Sequence, residues 1–220
     1  MKFKRVLLLA GHYGSGKTNI AVNMAFDLKR RGNETLIADI DIVNPYFRTK
    51  DSQKELSDAG IELICSPYAN SNVDIPALPQ EMYRVTEKRD GYAVVDIGGD
   101  DRGALALGRL SDAIKEENNY EMFLVVNIYR PLTNNLSDML EVVREIEAAS
   151  KIPFTAIINN SNLGEETTAK DVLDSVSLVE EIALACNLPV KLTTVKASLY
   201  DALEGKIENL FPLTLQDKIF

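Results

Sequence analysis

Eight residues near the start of the chain, Gly11-His-Tyr-Gly-Ser-Gly-Lys17-Thr18, constrain its fold more than any other segment. They fit the spacing G-x-x-x-x-G-K-[ST], and an apolar run, Val6–Ala10, leads directly into them. An amphipathic stretch, Lys17–Arg31, leads out, so the spacing predicts a strand, a tight glycine loop and a helix. Glycines let successive backbone N–H groups turn inward around an oxyanion, and the start of the helix adds its positive dipole end. In such a loop the Lys17 ammonium reaches the outer phosphates of a nucleotide, and the Thr18 hydroxyl ligands Mg²⁺. Gly11, His12, Tyr13, Gly14, Ser15, Gly16, Lys17 and Thr18 are all candidate nucleotide ligands.

The rest of the chain repeats the same alternation. Strands are expected at Arg5–Ala10, Thr35–Asp41, Ile61–Cys65, Tyr92–Ile97, Met122–Ile128, Phe154–Asn159 and Val190–Val195. Helices are expected at Lys17–Arg31, Pro79–Arg89, Ala104–Glu117, Asn135–Ala149 and Ala169–Cys186. Runs such as Val6-Leu-Leu-Leu-Ala10 are apolar at every position, the pattern of strands buried on both faces of a parallel sheet. The fold class that follows is α/β: one doubly wound, mostly parallel sheet of about seven strands with helices on both faces. The 220 residues are read as a single domain, 1–220, without repeats or a linker. Ser66–Pro79 reads as a long surface loop, and Ile207–Phe220 as a tail packing back on the domain.

Composition narrows the function. Lys and Arg number 24 against 33 Asp and Glu, a net charge of −9, which argues against a broad nucleic-acid surface. The group Lys29-Arg30-Arg31 falls at a helix end, where cations complement the dipole. Cys65 and Cys186 form no closely spaced pair and are expected in the core rather than in a metal or redox site. No apolar run reaches the roughly 20 residues that cross a bilayer. No leader pattern opens the sequence, so a cytoplasmic location without an integral membrane segment is expected.

Two acidic strand ends complete the pattern. Asp96 ends Ala93-Val-Val-Asp96 at the carboxyl edge of the sheet, where a carboxylate can hold Mg²⁺ directly or through water. Gly98-Gly99 follows and permits a backbone that moves close to a γ-phosphate. Asp39 and Asp41 end the second strand, and alternation points both to one face, toward the metal or a water. Thr18, Asp39 and Asp96 are therefore the candidate metal ligands.

Taken together, these segments resemble the MinD/ParA family of deviant Walker-A ATPases, within the group that includes nitrogenase iron protein and nickel-insertion accessory ATPases. The likeness rests on the phosphate loop, Ala38-Asp-Ile-Asp-Ile-Val-Asn-Pro45, Asp96-Ile-Gly-Gly99 and Ile157-Ile-Asn-Asn160, in the family's order. It implies ATP and Mg²⁺ as cofactors, switch I beginning at Asp39 and Asp41, and switch II at Asp96. Lys17 and Asp41 become the catalytic candidates, with Asp41 positioning the attacking water. Asn159 matches the asparagine that reads adenine after the sixth strand, and Asn160 is the alternative. One departure concerns His12, which stands where the family loop carries a lysine that in several members reaches across a dimer interface. The imidazole either donates to a phosphate or faces solvent, and the substitution bears on an ATP-dependent homodimer rather than on nucleotide binding.

Three functions fit these residues. The first is a Mg²⁺-dependent ATPase acting as a switch on an unidentified protein partner. The second is a small-molecule kinase or ATP-dependent ligase resembling dethiobiotin synthetase or the cobyrinate amidation enzymes, with Arg48, Arg102 and Arg130 beside Asn127 and Tyr129 as substrate anchors. The third is a nucleotide-binding interaction module with little turnover. The missing Asn-Lys-x-Asp motif favours ATP over GTP.

Overall fold

The computed structural model describes residues 2–40, 49–65, 79–87, 90–99, 101–131, 133 and 135–214. Eight strands form one sheet: β1 (Val6–Ala10), β2 (Thr35–Asp39), β3 (Glu62–Cys65), β4 (Tyr92–Asp96), β5 (Tyr120–Val126), β6 (Ala156–Asn159), β7 (Val190–Lys196) and β8 (Leu210–Leu213). Their order is β3-β2-β4-β1-β5-β6-β7-β8, and every pairing is parallel. Chain order reverses around β1, which lies between β4 and β5. The loop leaving β1 therefore opens at the switch point, where open α/β sheets bind ligands.

The helices are α1 (Lys17–Arg30), α2 (Gln53–Asp58), α3 (Arg84–Glu87), α4 (Asp101–Leu107), α5 (Ser111–Glu117), α6 (Leu136–Ser150), α7 (Ala169–Cys186) and α8 (Tyr200–Leu203). Period-2 alternation sorts the strand side chains into two cores. Leu7, Leu9, Ile37, Val94, Phe123 and Ile158 face α1, meeting Ile20, Met24 and Leu28. Leu8, Val95, Leu124 and Ile157 face the other way, toward Leu107 of α4, Met139 of α6 and Val179 of α7. Helices on both faces confirm the doubly wound architecture.

The details differ from expectation in three places. The sheet has eight strands rather than about seven, because Leu210–Leu213 pairs with β7 instead of merely packing on the domain. Phe211 and Leu213 are buried while Pro212 is exposed; with no N–H to donate, proline suits an outermost strand. The single helix expected over Ala104–Glu117 is two, broken at Gly108, where a Cβ would meet the Ala149 carbonyl oxygen of α6 at 2.9 Å. The helix expected at Pro79–Arg89 is a 3-10 turn, Gln80–Tyr83, followed by the single turn α3.

Candidate functional site

Beyond Ala10 the chain turns at Gly11, with φ +146°, and passes so close to β5 that a Cβ there would sit 2.6 Å from the Val125 carbonyl oxygen. Gly14 and Gly16 also take positive φ, 78° and 90°, which glycine adopts without steric cost. Gly16 is the N-cap of α1, where no side chain accepts from the first-turn N–H groups and no acidic residue offsets the dipole. The Ser15 hydroxyl, 1% exposed, has no hydrogen-bond partner among the described residues. Lys17 is buried, and its Nζ donates to the carbonyls of Gly11 at 3.0 Å and His12 at 3.2 Å, folding the ammonium across the loop. Orphaned donors, a cation and glycine backbone around one concavity suit a polyphosphate.

On the α1 face, β2 and β4 place Asp39 directly beside Asp96 in register, both buried at the carboxyl edge. The fully buried Thr49 donates its hydroxyl to Asp96 Oδ2 at 3.2 Å. Sequence reasoning missed Thr49, whose partner lies 47 residues away. Gly99 comes next: a Cβ on it would lie 2.7 Å from both the N and the Cα of Tyr13 and 3.1 Å from Lys17 Nζ. The segment after β4 thus lies on the phosphate loop itself. Asp41 and Arg48 lie outside the described residues, as does the side chain of Arg102.

The two asparagines that end β6 part company. Asn159 turns toward α7, giving Nδ2 to Ser175 Oγ at 2.9 Å and accepting from the Ser161 N–H at 3.1 Å. The residue is 1% exposed, and both ends of its amide are engaged within the protein. Asn160, one residue on, faces the loop: its Nδ2 donates to the Ser15 carbonyl at 2.6 Å, and its Oδ1 accepts from Thr194. A Cβ on Gly16 would strike that Nδ2 at 2.2 Å, so a side chain at position 16 would displace the Asn160 amide. A cavity of about 120 Å³ opens beside this contact, lined among others by Gly14, Asn160, Ser161, Asn162, Arg130 and Lys196.

The turn after β5 closes the site, and its lock was not anticipated. Asn127 is 1% exposed and its Oδ1 accepts from the N–H groups of Tyr129 and Asn162, while its Nδ2 donates to the Asn162 carbonyl. Tyr129 donates to the Asp171 carbonyl at 2.7 Å; burial, with the Asp171 and Asp174 carboxylates, pushes its phenol above the ordinary range and keeps it a donor. Asn127→Ala strands three backbone groups and is expected to cost about 2 kcal/mol, read as a lower urea midpoint at unchanged m-value. An unshifted midpoint would show that the tie between the two turns is ornamental.

A phosphate-cradling loop at the switch point of an all-parallel sheet defines a P-loop nucleotide-binding protein. Specifically, the chain belongs to the family of CobQ/CobB/MinD/ParA nucleotide binding domains, which matches residues 6–168. Similar solved structures include the cell division protein FtsY from Thermotoga maritima, at TM-score 0.61 and 17% identity, over 87% of this chain and 62% of that one. Chloroplast FtsY from Physcomitrella patens gives 0.60 and 21%, over 88% and 59%. Signal recognition particle 54 kDa protein from Aeropyrum pernix, solved with GDP, gives 0.55 and 19%, over 87% and 41%. The chain thus spans less than two thirds of each of these neighbours, and the likeness is one of fold. No match to a curated protein is found.

Proposed function

We propose that this P-loop protein is a Mg²⁺-dependent ATPase that acts as a nucleotide switch on a protein partner. The observation that carries the reading is the approach of Gly99 to Tyr13 and Lys17, which leaves no side chain between the segment after β4 and the phosphate loop. A γ-phosphate held by Lys17 and the α1 N-terminus would meet the Gly98-Gly99 backbone, and a diphosphate would not. That differential contact is what a switch requires. Thr18, Asp39 and Asp96 would hold Mg²⁺, which supplies charge neutralisation between phosphate oxygens. Thr49 orients Asp96, and Asp41 is proposed to position the attacking water. The partner, a second copy of the chain included, would read the nucleotide state on the face carrying Gly99 and the 55%-exposed Tyr13.

ATP is preferred to GTP in this reading. Guanine is commonly read by a carboxylate, and none lines the cavity beside Asn160 among the described residues. The GDP bound to the Aeropyrum protein makes competition between the two bases part of the test. Amide exchange at 98–103 should be slower with Mg·ATP than with Mg·ADP, GTP should fail to displace ATP at equal concentration, and Asp96→Asn should slow Mg²⁺-dependent hydrolysis about tenfold or more. Equal exchange in both nucleotide states would reject the switch and leave a binding module.

A further inference from the structure

Arg130 is the cation that the phosphate site has not yet used. It sits on the turn after β5, whose shape is held by its own N–H to the Asn127 carbonyl at 3.1 Å and by the Thr133 hydroxyl to the Arg130 carbonyl at 3.0 Å. Asn127 ties that turn to the chain leaving β6, so Arg130 projects from a fixed base. Its side chain runs along the loop: Cδ and Nε both lie 3.9 Å from where a Cβ on Gly14 would stand. Two cations line the cavity beside Asn160, and they differ. Lys196 is paired with Glu165, whereas the Arg130 guanidinium has no ion-pair or side-chain hydrogen-bond partner among the described residues.

An arginine held against a glycine loop without a carboxylate partner is a cation aimed at an anion that arrives from solution. We propose that Arg130 is a nucleotide-binding residue that forks onto the phosphate chain from the β5 side, opposite Lys17. This assignment rests on the nucleotide reading above. Its planar fork can donate two parallel N–H groups to neighbouring phosphate oxygens, which a point charge cannot do. Gly14 takes φ +78°, where an L side chain is strained, and a Cβ on it would make only ordinary contact with the Arg130 side chain. The arrangement also supplies charge that the loop lacks at position 12, where His12 is engaged at 3.1 Å with the Tyr13 carbonyl through Nδ1.

The test is calorimetric and uses the full chain with Mg·ADP, Mg·GDP and the two free nucleosides. Arg130→Ala should weaken the preferred diphosphate about tenfold or more while leaving its nucleoside unchanged, and Arg130→Lys should recover part of the loss. The residue is exposed, so melting without ligand should match wild type and separate binding from folding. Diphosphate affinity unchanged in Arg130→Ala, with wild type binding normally, overturns this assignment and leaves the nucleotide site standing. An equal loss for nucleoside and diphosphate also overturns it, because the contact would then be to the base. Wild type that binds neither diphosphate overturns the nucleotide reading itself.

Discussion

Lys17→Ala is expected to weaken Mg·ATP binding about a hundredfold, because charge-assisted contacts are worth about 1.5–3 kcal/mol each and an ammonium astride the outer phosphates makes at least one strong one. Lys17 now gives its protons to the Gly11 and His12 carbonyls, so its position over the concavity is set before any ligand arrives. Pre-positioning means that little side-chain entropy is lost on binding, and the contact should register nearly in full. Titration calorimetry on both proteins reads the effect, with unliganded melting as the control for folding. Equal affinities would remove the phosphate site from the molecule.

Gly11→Ala acts on the fold before it acts on binding. At φ +146° an L side chain is strained, and the Cβ would lie 2.6 Å from a backbone carbonyl of β5, which cannot swing aside as a side chain could. Backbone strain and overpacking each cost about 1–3 kcal/mol, so a total of about 3 kcal/mol is expected. That is a large share of the stability of an ordinary domain. Urea unfolding should show the midpoint falling accordingly. A variant as stable as wild type would mean that β1 and β5 can separate at the loop without cost.

Much of this was legible in the residues because the signals were local and redundant. The loop motif, the apolar strands and the carboxylates at strand ends each depend on short stretches, and the parallel sheet follows from them, whereas the pairing of β2 with β4 that sets Asp39 beside Asp96 needs the fold. What escaped depends on register or distance. Ile158 packs toward α1 and Ile157 away from it, so strand parity alone sends Asn159 to α7 and Asn160 to the loop. A one-residue difference in register exchanges the two faces, and matching a motif by position does not fix that parity. Thr49 could not be paired with Asp96 without the fold, and neither could Asn127 with Asn162. β8 was hidden by its brevity and by Pro212, a residue that argues against a strand everywhere except at an edge.

The place of β1 in the sheet has a consequence for biosynthesis. β1 is made before β2–β8 and lies mid-sheet, and its partners are Ala93–Asp96 on one side and Tyr120–Leu124 on the other. An emerging chain therefore carries Val6-Leu-Leu-Leu-Ala10, apolar at every position, with no strand partner until some ninety residues later in the chain, on the order of several seconds at ordinary rates of synthesis. The phosphate loop waits longer still, because Gly11 is shaped against Val125 and Gly16 against Asn160. Nucleotide affinity is thus a property the nascent protein acquires late, and a ribosome-bound fragment that stops short of β6 should behave as a sticky, ligand-blind intermediate and a natural client for holding chaperones.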